Sequence, residues 1–131
     1  MTETINHPRH YQHASGIECW QLSAYMPHPL ASALEYVWRY EAKNGVEDLK
    51  KARWWLQCCL NGLDIPQSSQ SNKFKYRRGL MLRAELNPDK FELMMLITEA
   101  ADKDVCTPTG AISRIKRAID VLNKLIIECA A

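Results

Sequence analysis

The sequence predicts an all-α protein, and three observations carry that expectation. Apolar residues recur at helical spacing in the stretches 30–38, 49–60 and 112–129. Asn87-Pro88 and Thr107-Pro108 each place a capping residue before a proline, a strong helix-start signal. No stretch alternates apolar and polar residues as a half-buried strand does.

Taken in order, residues 1–15 are polar, contain Pro8 and lack periodicity, so an irregular N-terminal arm is expected. Ser15 or Gly16 opens a helix in which Ile17, Trp20 and Ala24 share a face, and Pro27 and Pro29 interrupt it. The next helix puts Leu30, Leu34, Val37 and Trp38 on one stripe. Glu35, Arg39 and Lys43 fall on another, in the order that favours ion pairing along a helix. Asn44-Gly45 is the stop, because both residues tolerate the left-handed backbone that ends helices. Glu47 and Asp48 suit the first turn of a following helix, where negative charge meets the positive end of the helix dipole. Leu49, Ala52, Leu56, Cys59 and Leu60 form its buried face. Two helices joined this closely form an antiparallel hairpin.

Residues 61–72, "NGLDIPQSSQSN", read as a linker. Beyond it a helical extension over 73–131 is expected to pack on the first 60 residues as one globular unit. Leu93 to Ile97 form an apolar run expected to be covered on most sides. Ile112, Ile115, Ile119, Leu122, Ile126 and Cys129 alternate at spacings of three and four, a heptad-like seam for packing within the monomer or for a homodimer. Trp38, Trp54 and Trp55 are expected in the core.

Bulk properties narrow the function. The length of 131 residues suits one domain. Seventeen basic and fifteen acidic residues leave a net charge of +2, too small to drive nucleic-acid binding by itself. No apolar run of about 18 residues suggests a membrane span, and "MTETINHPRH" lacks the basic-then-apolar order of a secretory leader. The five cysteines, Cys19, Cys58, Cys59, Cys106 and Cys129, show no zinc-finger spacing, so reduced thiols in a cytoplasmic protein are expected.

The chain lacks the phosphate-loop, dinucleotide-fold, serine-hydrolase and metalloprotease motifs. Its acidic pairs, Glu47/Asp48 and Asp102/Asp104, lack the E-x-x-E spacing with which all-α pyrophosphohydrolases hold magnesium. His7, His10 and His13 carry no cysteine or acid at metal-ligand spacing, so no metal site is expected, and a surface, capping or anion-contacting role stays open. Arg39, Lys43, Lys50, Lys51 and Arg53 gather on the hairpin, either as a solvated face or as an anion site. Lys73 to Arg83, with Phe74 and Tyr76 interleaved, offers a weaker nucleic-acid reading.

"NHPRHY" (6–11), "GIEC" (16–19), "EYVWRYEAKNG" (35–45) and "EDLKKARWWL" (47–56) together resemble a small bacteriophage and prophage domain family related to phage nucleoside-monophosphate kinases that lack a phosphate loop. The resemblance covers about residues 5–60. It implies a phosphate or nucleotide site built from His7, His10, Tyr11, Arg39, Lys43 and Lys51, supported by Asn6, Glu18 and Asp48. Arginine suits such a site because its fork meets phosphate oxygens in pairs.

The function implied is a phage accessory protein in the bacterial cytoplasm that binds nucleotides. If it is an enzyme, it is a phosphotransferase on nucleoside monophosphates, with a nucleoside triphosphate as donor and no resident cofactor. The chain departs from the family pattern at four places. Ala31 and Ser32 replace Gly-Asn, Glu35 replaces a lysine, and Glu41 replaces a glycine. These departures and the unmatched second half motivate the alternative, a non-enzymatic phage effector that binds and inhibits a host defence complex, in the manner of an anti-CRISPR protein.

Overall fold

The computed structural model describes residues 15–62, 65, 67, 68 and 77–130. Among these the fold is all-α, with helices and no strand. The helices are α1 (Cys19–Ser23), α2 (His28–Arg39), α3 (Val46–Asn61), α4 (Arg77–Arg83), α5 (Pro88–Ala100) and α6 (Pro108–Ala130), and a 3₁₀ turn, Tyr40–Ala42, follows α2. The expected arm lies outside the described residues apart from Ser15, as does most of the expected linker. The histidines His7, His10 and His13, with Asn6 and Tyr11, are therefore outside the described part, and so are residues 73–76 of the basic stretch.

The helices pair by ridge and charge into two antiparallel hairpins. In the first, His28 at the start of α2 meets Trp55 near the end of α3, while Arg39 at the end of α2 meets Asp48 at the start of α3. In the second, Asp89, Glu92 and Glu99 of α5 face Lys124, Arg117 and Arg114 of α6, again in reversed order. The hairpins pack face to face, α2 on α5 and α3 on α6. Leu30, Leu34 and Val37 of α2, Leu49, Ala52 and Leu56 of α3, Leu93, Met94 and Ile97 of α5, and Leu122 of α6 are fully buried between them. Each such aliphatic side chain contributes about 1.5–3 kcal/mol by leaving water.

The caps follow the sequence. The Asn87 side chain accepts from the Lys90 amide at 2.9 Å, with Pro88 in the first turn. Thr107 Oγ1 accepts from the Gly110 amide at 3.2 Å at the start of α6. Gly45 sits at φ +55°, the conformation its position between α2 and α3 requires.

Four expectations are corrected. First, α1 begins at Cys19, with Glu18 as its N-cap, because Gln21 Oε1 accepts the Glu18 amide at 2.7 Å. Its buried side is Cys19, Leu22 and Ser23, so Trp20 points outward, 62% exposed. Second, Trp54 is not core but 57% exposed, since α3 turns Leu49, Ala52, Leu56 and Cys59 inward. Third, the seam of α6 is broader than expected and loses its two ends. Ile115, Leu122 and Ile126 of the expected seam are buried and Ile119 packs against the core, but Ala111, Ala118 and Leu125 join them, while Ile112 and Cys129 are exposed. Fourth, Glu35 does not pair with Arg39 along α2. Its Oε1 accepts from Ser23 Oγ of α1 at 3.4 Å, while Arg39 turns to α3.

Within the stretch expected as a linker, the described residues are tied to the helices. Ser68 donates its amide to Ala101 O at 2.7 Å and accepts from the Lys103 amide at 2.9 Å. Gln67 Nε2 donates to the carbonyls of Ala100 and Cys106, both at 3.2 Å. These bonds close the turn between α5 and α6.

Candidate functional site

The cations of the first hairpin divide into an inner one and outer ones. Arg39 is 9% exposed and Asp48 is fully buried. Arg39 Nη2 donates to Asp48 Oδ1 at 3.1 Å, and Asp48 Oδ2 accepts from the Asn44 amide at 3.2 Å. One carboxylate thus holds the arginine and pins the connecting turn. The guanidinium also lies over the Tyr36 ring, 4.5 Å from its centroid. Arg39 is therefore a helix-to-helix lock rather than the exposed phosphate fork that its surface-like spacing suggested.

Lys51, one turn beyond Asp48 on α3, is exposed and reaches over the same Tyr36 ring at 5.6 Å. Lys43 is exposed in the turn that Asp48 pins. Tyr36 is thus bracketed by cations from two helices, an arrangement favoured by the negative face of its ring. Among the described residues Lys43 and Lys51 make no ion pair, whereas Lys50 lies 3.8 Å from Glu47. The loop end of the hairpin therefore carries positive charge not matched locally.

The sequence-derived site is brought together in part. Arg39, Asp48 and Lys51 meet at Tyr36, and Lys43 stands in the turn beside them. Glu18 is engaged elsewhere: it caps α1 and accepts from Trp20 Nε1 at 2.9 Å. Tyr36 was missing from the expected ligand set. Its signal was present in the spacing, since residues 36 and 39 share a helix face toward 51 and 48 of an antiparallel partner.

The second half contributes a buried cation. Lys90 of α5, 2% exposed, donates from Nζ to Trp38 O and to Glu41 Oε1, each at 2.8 Å. The ammonium lies 5.4 Å from the Trp38 ring centroid and 5.2 Å from that of Tyr40. A cation is well placed at the last turn of α2, where carbonyls concentrate negative charge. Two of the departures thus have structural partners: Glu41 meets Lys90, and Glu35 meets Ser23.

The two buried thiols, Cys19 and Cys59, are inert by environment. Burial, reinforced by the Glu35 charge, pushes the Cys19 thiol far up. Burial and the neighbouring Cys58 push Cys59 up to about 11. All five cysteines are free. Among the described residues no group of three or more histidines, cysteines or acids could hold a metal ion, and no helix is long and apolar enough to cross a membrane.

A cleft of about 320 Å³, lined by Leu60, Gly62, Ile65, Gln67, Lys103, Pro108 and Ile112, lies at the other end of α3. It shares no residue with the cationic cluster.

Residues 5–57 match the model of a family described as a protein of unknown function, DUF3310. The matched span takes in the arm, α1, α2 and most of α3, and it excludes Lys90 and the whole second hairpin. No curated protein and no solved structure matches the chain.

Proposed function

We propose that the chain is a phage-type accessory protein that binds a nucleotide through its phosphate at the loop end of the α2–α3 hairpin. The observation that carries the reading is the convergence of Arg39 and Lys51 on Tyr36, with Asp48 holding the inner cation and Lys43 and Lys51 left as outward charges. Lys43 and Lys51 contact the anion. Arg39 and Asp48 position the helices that present them. His7, His10 and Tyr11, which the resemblance adds to the site, lie outside the described residues.

Phosphoryl transfer depends on positioning and on neutralising charge. Glu35, in place of the family's lysine, subtracts a cation from this scaffold. Binding is accordingly the primary activity. A kinase-like transfer from a nucleoside triphosphate is the secondary one, resting on charge stabilisation without a protein nucleophile.

The test is a thermal-shift panel of ribo- and deoxynucleoside mono- and triphosphates, with and without magnesium, on the chain and on Lys51→Ala. A ligand at 100 times its Kd stabilises the fold by about 2.7 kcal/mol. A selective shift that Lys51→Ala abolishes supports the reading. A flat panel at millimolar ligand overturns it and leaves the host-defence complex as the partner to be sought.

A further inference from the structure

The outward face of α3 repeats one pattern: Lys50 and Lys51, then Trp54 and Trp55 one turn later. Trp54 is 57% exposed, whereas Trp38 is 4% exposed in the core. The Trp54 and Trp55 rings meet at 4.9 Å and 79°, and His28 from the start of α2 meets Trp55 at 5.1 Å and 85°. Trp54 thus makes an edge-on contact with its neighbour while more than half of it stays exposed to water.

We infer that Trp54, held against Trp55, which His28 contacts in turn, is the stacking platform for the base of the nucleotide whose phosphate lies at Lys51. The inference rests on the nucleotide reading above and assigns its specificity end. Lys51 and Trp54 are three residues apart, a rise of about 4.5 Å along one side of the helix. That offset suits a ligand that is anionic at one end and flat and aromatic at the other. The neighbouring charges select this occupant: exposed Lys50 and Lys51 lie one turn before Trp54, while Arg53 turns to Asn123 of α6. A base can stack on an indole whatever its hydrogen-bonding edge, so discrimination among bases is modest and discrimination against base-free phosphates is strong.

The experiment is isothermal titration of the full chain with a nucleoside monophosphate, ribose 5-phosphate and inorganic phosphate, repeated on Trp54→Ala and Lys51→Ala. The exposed position of Trp54 makes its replacement compatible with folding, which a thermal melt verifies. The expected result is that the nucleotide binds at least 10-fold tighter than ribose 5-phosphate. Trp54→Ala then weakens nucleotide binding by about 5- to 100-fold, the range typical of a base–aromatic stack, and leaves ribose 5-phosphate unaffected. Equal binding of nucleotide and ribose 5-phosphate, with Trp54→Ala silent and Lys51→Ala weakening both, overturns the platform while the phosphate site stands. No binding of any of the three overturns both.

Discussion

Replacing Arg39 by alanine tests the inner half of the hairpin site. From the sequence, Arg39 looks like a surface cation whose removal should cost binding and little else. The structure predicts a folding defect. Asp48 is fully buried, and its carboxylate holds only Arg39 Nη2 and the Asn44 amide. Removing the guanidinium leaves a carboxylate out of water with one backbone partner, a loss of about 3–5 kcal/mol. For a domain of this size that is a fall in Tm on the order of 10–20 °C.

The control is the double variant Arg39→Met with Asp48→Leu. Removing both charges together spares the orphaned carboxylate, so the pair should recover most of the stability lost by Arg39→Ala. Urea titration with a thermal melt measures both. If Arg39→Ala melts within about 2 °C of the parent, Asp48 is not held as described and the division into inner and outer cations is wrong.

Other variants probe the same frame. Lys90→Ala should cost about 1–3 kcal/mol by urea titration, because it strips the buried bonds to Trp38 O and Glu41. Glu41→Gln should cost under about 1 kcal/mol, since that carboxylate is 55% exposed. Gly45→Ala should cost about 1–3 kcal/mol, because φ +55° with ψ −121° strains any residue with a Cβ. Stability should fall as pH rises above about 9: the unfolded chain releases its thiol protons near the ordinary value of 9.0, while folded Cys59 holds its proton to about 11 and Cys19 beyond that. Denaturant midpoints at pH 7, 9 and 10.5 measure the trend. A thiol reagent should label Cys129 rapidly and reach Cys19 and Cys59 only on unfolding, as mass spectrometry of peptides would show.

Helix type and most helix starts were legible because periodicity and capping are local. Leu30, Leu34 and Val37 announce their burial by spacing alone, and Asn87 and Thr107 announce their caps. What was not legible depends on contacts between elements. Arg39 reads as a surface residue until α3 brings Asp48 to it. Trp54 reads as core until the inward face of α3 is filled by Leu49, Ala52 and Leu56. The α6 seam was legible at Ile115, Leu122 and Ile126, but the burial of Ala111, Ala118 and Leu125 beside them depends on which helices pack there. Glu41 reads as a departure from the family pattern because its partner, Lys90, lies 49 residues away. At the site, residue types and positions on the hairpin were visible, but the split between locking and ligand-facing cations was not.

Whether a ligand's phosphate sits at the loop end of the first hairpin is tested by an amide chemical-shift titration of the full chain with a nucleoside monophosphate. Shifts are expected to concentrate at Tyr36, Lys43, Asn44, Gly45 and Lys51. Absence of shifts, or shifts concentrated around Leu60, Ile65 and Ile112 at the far cleft, would contradict that placement.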